Sequence, residues 1–181
     1  MSGVAAHPGI GIHAGEPVTE RDEFFGETVQ FAKRLSYIAD QGQIQVSSKI
    51  GDHYSKENLR DLSKEKFLNT LNSQEENFLS RLMDATETIW NQDGFKVGNY
   101  CRLIGERKSQ LYRKIKRLTG LSATEFMKEF RLNRALYLIE EKPNNISRIA
   151  YETGFNNPSY FSKCFKERYG LLPSEFIDRM N

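Results

Sequence analysis

A basic stretch in the middle of the chain has the residue types needed to hold a polyanion. Residues 107–117 read RKSQLYRKIKR and contain six Lys or Arg and no acidic residue. At helical spacing Leu111, Ile115 and Leu118 fall on one side, so the basic and polar side chains share the other. Lysine and arginine on such a face hold phosphate groups, and arginine also matches the O6 and N7 acceptors of guanine. This pattern predicts a helix that binds double-stranded DNA.

The roles on this face follow from side-chain type. Arg113 is the predicted contact to a base edge, because its planar fork can donate two parallel hydrogen bonds. Phosphate contacts, which give affinity without sequence information, are expected from Lys108, Lys114, Lys116 and Arg117. The alternative for each charge is a solvated surface residue. Tyr112 and Tyr160 could instead lie at the edge of the core.

A second polar helix is predicted within residues 154–176, which read GFNNPSYFSKCFKERYGLLPSEF. Asn157 supplies an N-cap, and Pro158 suits the first helical position. Phe161 and Phe165 lie four residues apart on the inner face, and Gly170 ends the helix. The outer side chains predicted to contact DNA are Asn157, Pro158, Ser159, Ser162, Lys163 and Lys166, with Arg168 directed toward phosphate.

The two stretches belong to an internal repeat. Residues 97–105 correspond to 146–154 at an offset of 49, and residues 109–126 correspond to 159–176 at an offset of 50. Each copy has the pattern helix, tight turn, helix, which is a helix-turn-helix. A long helix over about 123–142 is predicted to hold the copies apart. One chain could then read two half-sites in successive major grooves without dimerising.

The carboxyl-terminal part, about residues 75–181, resembles the AraC/XylS family of bacterial transcription regulators. The family pattern is matched by Gly154-Phe155, Ser159-Tyr160-Phe161, Phe165-Lys166, Gly170, and Pro173 with Phe176. The resemblance implies a mainly α fold, in which two helix-turn-helix units are joined by a long linking helix. It places Ser109, Tyr112 and Arg113 at base-reading positions and implies contact with RNA polymerase at a promoter.

The amino-terminal part has a different pattern. Alternation predicts strands over about 9–14 and 43–47, and helical periodicity predicts helices over about 24–39 and 47–54. This is a small, partial α/β segment. Because two strands are too few for a stable sheet, the pattern favours the tail of a longer chain.

About residues 10–50 resemble the distal part of a class III nucleotidyl cyclase domain. The matching residues are 11–16, 25–29, 32–35 and 42–47, and Arg34 matches the transition-state arginine of that family. The resemblance does not imply catalysis. The family's metal-binding carboxylates lie upstream of the matching stretch, and Gln30 replaces its ribose-positioning asparagine. The alternative function is a nucleotide-binding sensor or a degenerate cyclase fragment fused to a DNA-binding domain.

Charge and helix signals place the domain boundaries. Residues 92–181 carry 17 Lys or Arg and 10 Asp or Glu, whereas residues 1–91 carry 9 and 14. The basic half therefore indicates a polyanionic partner. The predicted domains are residues 1–55, a polar linker over 56–72, and a DNA-binding domain over 73–181 that opens with a capping box at Ser73 and Glu76. Its helix-turn-helix units are predicted over about 96–118 and 146–169.

Other kinds of site are not predicted. His7, His13 and His53 have no metal-ligand spacing, and the sequence has no phosphate-loop or nucleophile motif, so no cofactor, metal or catalytic residue is expected. Cys101 and Cys164 are expected to be buried, reduced thiols. No apolar run has the length of a membrane span, and a cytoplasmic location is expected. A homodimer through the amino-terminal part is compatible with all these expectations.

Overall fold

The computed structural model describes residues 9–16, 18–20, 23–39, 42–53, 67–141 and 145–180 of the chain. The chain divides into two compact units. One consists of Met1–Met83 with Arg117–Gly120, and the other of Asp84–Lys116 with Leu121–Asn181. This division falls inside a helix that begins at Ser73, the predicted start of the DNA-binding domain.

Short strands and longer helices alternate in the first part of the described chain, and helices follow. The strands are β1 (Ile10–Ile12), β2 (Val18–Glu20), β3 (Glu23–Phe25), β4 (Ile44–Val46) and β5 (Leu68–Thr70). The helices are α1 (Glu27–Ile38), α2 (Ser48–His53), α3 (Ser73–Ile89), α4 (Val97–Ile104), α5 (Lys108–Thr119), α6 (Ala123–Glu141), α7 (Ile146–Glu152), α8 (Pro158–Tyr169) and α9 (Pro173–Met180). The predicted fold class, mainly α with a small amino-terminal α/β segment, is confirmed.

The first unit is built on a three-stranded parallel sheet in the order β1, β4, β5. Helix α1 connects β1 to β4 and packs closely on β1. A Cβ atom at Gly11 would lie 2.3 Å from the carbonyl oxygen of Ala32, so this contact requires glycine. Leu35 and Val46, which are 0% and 2% exposed, form the core beneath the helix. The four predicted elements, β1, α1, β4 and α2, occur in the predicted order, and the strands β2 and β3, which were not predicted, lie between β1 and α1.

Two features of this unit differ from the sequence prediction. Leu68–Thr70, at the end of the predicted linker, forms β5 and pairs with β4; residues 56–66 of that linker lie outside the described residues. Phe25, predicted to lie in the first turn of a helix, lies in β3, which forms an antiparallel hairpin with β2. Helix α1 begins only after Gly26, which has a φ of 96°, a backbone angle that glycine adopts with little strain.

The capping box of α3 lies one residue before its predicted place, so the prediction of Ser73 and Glu76 is wrong. Asn72 Oδ1 accepts hydrogen bonds from two backbone N–H groups of the first turn, both at 3.0 Å. Glu75 in turn accepts one from the Asn72 N–H at 3.0 Å. Asparagine caps a helix as well as serine does, and the spacing rule is the same. Glu76 instead accepts hydrogen bonds from Ser48 N (2.5 Å) and Ser48 Oγ (2.9 Å).

The helices of the carboxyl-terminal part form the predicted repeat. Gly105 (φ 72°) separates α4 from α5, and Gly154 (φ 78°) separates α7 from α8. Gly120 and Gly170, with φ of 69° and 80°, follow α5 and α8 at equivalent positions. Helix α6 lies between the two copies along the chain. Two helix-turn-helix units joined by a long helix are therefore confirmed, with the linking helix described to Glu141.

The core around the second copy is one cluster from α6, α7 and α8. Phe161 and Phe165 are both 0% exposed, and their ring centroids lie 5.7 Å apart. Ala150 and Cys164 belong to the same buried cluster. Cys101, which corresponds to Ala150 in the first copy, is a free thiol that is only half-buried. The expectation of a buried thiol is therefore confirmed for Cys164 and wrong for Cys101.

Tyr100 of α4 is fully buried and joins its helix to α3 by a hydrogen bond of 2.7 Å between its hydroxyl and that of Thr86. Burial raises the pKa of Tyr100 well above its usual value of 10.0. The buried phenol therefore stabilises the fold below about pH 10, and this contribution is lost as the pH rises above that value.

Replacing Tyr100 by Phe is expected to lower the free energy of unfolding by about 1 to 2 kcal/mol at pH 7, since the buried hydrogen bond to Thr86 is lost. The difference from the wild type should shrink between pH 10 and 11, where only the wild type loses the stability of its neutral phenol. Urea unfolding followed by circular dichroism at each pH measures both effects. A difference that is constant with pH would contradict the assigned burial cost.

The described part of the chain has neither a membrane-spanning helix nor a cluster of metal ligands. No described helix is both long and apolar enough to cross a membrane. Among the described residues, which leave out His7, no group of three or more His, Cys, Asp or Glu side chains could hold a metal ion.

Candidate nucleic-acid interface

Helix α5 presents the polar face that the sequence predicts. Its inward residues are buried, with Leu111 and Ile115 at 0% and Leu118 at 8% exposed. Tyr112 is 56% exposed, which places it on the surface and not at the edge of the core. The remaining predicted DNA contacts of this helix, all exposed, are Lys108, Ser109, Arg113 and Lys116.

Two of the predicted phosphate contacts on α5 are paired with carboxylates of the chain. Lys114 forms an ion pair with Glu106, and Arg117 forms one with Glu75 at 2.9 Å. Surface ion pairs of this kind contribute only about 0 to 1 kcal/mol, so a phosphate group could replace the carboxylate. The pairs nevertheless lower the net positive charge of these two positions relative to Lys108 and Arg113.

Helix α8 begins where its cap predicts. Asn157 Oδ1 accepts hydrogen bonds from Ser159 N at 2.9 Å and from Tyr160 N at 3.0 Å, and Pro158 occupies the first helical turn. The Asn157 side-chain oxygen is therefore used within the protein. The amide nitrogen of the same side chain is a donor that the cap does not use. Asn157 thus combines an N-cap with a polar group at the exposed start of the helix.

The other predicted contacts of α8 differ in how far they are engaged by the protein. Ser162 is half-buried and donates a hydrogen bond from Oγ to the Pro158 carbonyl oxygen at 2.9 Å, so its hydroxyl serves the helix. Lys163 lies 4.0 Å from Glu167, a distance at which the pair is weak. Ser159 and Lys166 are exposed. They lie with Ser162 and Lys163 along a groove of about 520 Å³ beside α8.

Arg168, predicted to face phosphate, is held by the linking helix. Its Nε donates to Glu129 Oε2 at 2.8 Å, and its guanidinium lies 5.5 Å from the ring centroid of Tyr169. The Tyr169 hydroxyl donates to Asn133 Oδ1 at 2.8 Å. These contacts join α8 to α6 and give Arg168 a structural partner.

Tyr160, which is exposed on α8, forms a hydrogen bond with Cys164 that raises the pKa of its hydroxyl.

Sequence reasoning missed Arg131, which lies on α6. Its guanidinium donates to three backbone carbonyls: Nε to Trp90 at 2.6 Å, Nη1 to Gly154 at 2.7 Å and Nη2 to Gln92 at 2.7 Å. Burial lowers the pKa of Arg131, although its charge is retained at neutral pH because arginine is a very strong base. One signal was present in the sequence. A charged residue lies four residues after Met127 and four before Ala135, both of which are buried.

Asn157 provides a test that separates the cap from DNA contact. Asn157→Ala should lower the free energy of unfolding by about 1 kcal/mol because the cap is lost. Asn157→Asp should keep that stability, since a carboxylate caps equally well and suits a helix N-terminus. Urea unfolding and duplex binding are measured for both variants. If the amide contacts DNA, Asp weakens binding despite normal stability; normal binding by the Asp variant would contradict a DNA contact by Asn157.

The described geometry matches a known class of domain. Residues 100–179 match the family model described as a helix-turn-helix domain. An AraC-type DNA-binding domain-containing regulator from Chromobacterium violaceum has a similar fold, with a TM-score of 0.53 and 23% identity over 57% of this chain and 92% of that chain. The carboxyl-terminal part of the chain therefore has a helix-turn-helix fold similar to that of this regulator.

Two curated relatives match part of the sequence. Histidine kinase P4 of Formosa agariphila is 36% identical over 110 residues, which is 61% of this chain and 8% of that protein. The HTH-type transcriptional activator RhaS of Mannheimia succiniciproducens is 43% identical over 65 residues, which is 36% of this chain and 24% of that protein. The chain thus spans a quarter or less of the length of these two relatives.

Proposed function

We propose that the chain is a sequence-specific regulator of transcription that binds double-stranded DNA. The observation that carries the proposal is the repeat of one helix-turn-helix, in which the exposed faces of α5 and α8 bear polar and basic side chains over buried aliphatic or aromatic ones. A face of this kind suits the major groove, with lysines on phosphates and a few side chains on base edges. A relative named as a transcriptional activator is 43% identical to this chain over 65 residues.

The two copies would read successive major grooves. Half-sites one helical turn apart are separated by about 34 Å, or roughly 10 base pairs, and then lie on one face of the duplex. In this proposal Arg113, Ser109 and Tyr112 read bases from α5, and Asn157, Ser159 and Lys163 do so from α8. Because α5 is the more basic helix, its half-site should contribute the larger share of the salt-dependent affinity.

Selection of bound sequences from a random duplex library tests this function. The expected result is a bipartite motif whose halves lie about 10 base pairs apart, with affinity that falls steeply with salt. Binding without any enriched motif, lost at moderate salt, would mean that the basic face only holds phosphate and would contradict sequence-specific reading. The selection uses the full chain.

The remaining partners in the proposal rest on resemblance. A regulator of this kind would act beside RNA polymerase at a promoter, and transcription from the selected motif in a reconstituted system would measure whether it activates or represses. A homodimer through the amino-terminal α/β part is a further proposal, which sedimentation velocity tests. A nucleotide-sensing or cyclase-like role for about residues 10–50 stays a prediction, and calorimetric titration with ATP and GTP tests it.

A further inference from the structure

The linking helix α6 contacts both the end of α3 and the second helix-turn-helix. Toward α3, Arg134 donates two hydrogen bonds from Nη2 to the Glu87 carboxylate, at 2.6 and 2.8 Å, and its guanidinium lies 5.4 Å from the Trp90 ring. Toward α8, Glu129 pairs with Arg168 at 2.8 Å. Residues 90–96 lead from the end of α3 directly into α4, the first helix of the first copy.

Arg131 contacts both sides with a single guanidinium. It donates to Trp90 and Gln92, just after α3, and to Gly154, in the turn between α7 and α8. Carbonyls at the carboxyl-terminal end of a helix carry partial negative charge, so those after α3 attract the cation. Since the guanidinium is planar and rigid, three donors in fixed directions also set the angle between the segments that they join.

The turn at Gly154 is shaped to this contact. A Cβ atom at residue 154 would lie 2.8 Å from Cζ and from Nη2 of Arg131, and 2.8 Å from the Trp90 carbonyl oxygen. At the equivalent turn of the first copy, a Cβ at Gly105 would meet nothing within 4 Å. The close approach is therefore particular to the second copy, where Arg131 is seated against the turn.

We infer that Arg131 is a positioning residue that fixes the spacing and relative orientation of the two reading helices, and hence the half-site spacing that the protein accepts. The inference rests on the proposed function. Changing the spacer by one base pair moves a half-site by about 3.4 Å and rotates it by roughly 35°. A rigid pair of units cannot follow that change, so it loses the second contact and the avidity that comes with it.

Operators with the selected half-sites and spacers shortened by one, unchanged, or lengthened by one base pair test the inference. The wild type should prefer the selected spacer by at least about tenfold, because only that geometry lets both units bind. With Arg131→Gln the preference should fall to about threefold or less, while the loss caused by a base change inside either half-site stays the same. Arg131→Lys, which keeps the charge but not the planar fork, should give an intermediate preference.

Arg134→Gln is the matched control. It removes an arginine three residues further along the same helix, and that arginine joins α6 to α3 without contacting the turn at Gly154. Its spacer preference should equal that of the wild type. Unfolding curves of the variants test whether each is folded at the binding temperature. If Arg131→Gln is not folded, Arg131→Lys is used for the test.

Three outcomes overturn the inference. Arg131 variants that bind all three spacers more weakly by one common factor would assign Arg131 to stability alone. An unchanged spacer preference would show that the other contacts of α6 suffice to fix the geometry. A wild type that selects single half-sites, or no sequence at all, would overturn two-unit reading and this inference with it. A strict bipartite preference retained in the Arg131 variants would overturn the inference alone and leave the proposed function standing.

Discussion

Replacing Arg113 by Ala is expected to relax base preference at one position of the α5 half-site and to leave the α8 half-site unchanged. Arg113 is exposed on the outer face of α5, whose opposite face is held by the buried Leu111 and Ile115. A bidentate arginine contact to guanine is worth about 1 to 3 kcal/mol, or roughly fivefold to 150-fold in affinity for the preferred base. Binding titrations with each of the four bases at that position measure the effect.

Lys116→Ala is the control for a phosphate contact on the same helix. It should weaken binding to all sequences about equally and lower the slope of log affinity against log salt by about one. Arg113→Ala should change the base preference more than the slope. If both variants gave the same uniform loss, Arg113 would be a phosphate contact and the base-reading side chain would have to be sought among Ser109 and Tyr112.

The repeat could be predicted from the sequence because its signals are local. Gly105, Gly154 and Gly170 end helices through positive φ values, and apolar residues at helical spacing recur at offsets of 49 and 50. The outer faces of α5 and α8 follow directly once the inner faces are known. Side-chain type then assigned the candidate contacts, although it could not show that Ser162 bonds within its own helix.

The features that were missed depend on distant partners. Leu68–Thr70 is a strand because β4 lies beside it, and its three residues carry no strand pattern of their own. Glu129, the partner of Arg168, lies 39 residues away in the sequence. Trp90 and Gly154, two partners of Arg131, lie 41 and 23 residues away. Periodicity predicts which face of a helix is buried, but it does not identify the residues of other segments that fill that face.

The same distance in sequence explains why Arg131 was overlooked as a functional candidate. Arginines on α5 stood out because they are clustered and lie on an outer face, whereas Arg131 is a single charge in an apolar row between Met127 and Ala135. A charged residue at such a position must find partners, since burying an isolated charge is very unfavourable. The three carbonyls supply them, and they come from two segments that are far apart in the sequence, the residues just after α3 and the turn of the second copy.

Replacing Gly154 by Ala is expected to cause a large loss of stability. The matched variant Gly105→Ala separates the cost of the backbone conformation from the cost of the close contacts at residue 154. Both glycines follow the first helix of a helix-turn-helix and have nearly the same φ, 78° and 72°. Alanine in this region costs about 1 to 2 kcal/mol at either position. Only at Gly154 would the new Cβ also lie 2.8 Å from the Arg131 guanidinium and from the Trp90 carbonyl oxygen.

The difference between the two variants therefore measures the close contacts of residue 154 with Arg131 and with the Trp90 carbonyl oxygen. Because charge-assisted hydrogen bonds are worth about 1.5 to 3 kcal/mol each, displacing the guanidinium should make Gly154→Ala roughly 3 to 5 kcal/mol less stable than the wild type. Urea unfolding of both variants, alone and combined with Arg131→Gln, gives a double-mutant cycle. Once Arg131 is shortened to Gln, the part of the extra cost at Gly154 that comes from displacing the guanidinium should disappear. The part that comes from the Trp90 carbonyl oxygen should remain, and the cost at Gly105 should not change. Equal costs for the two glycines in the wild-type background would show that the turn does not depend on Arg131.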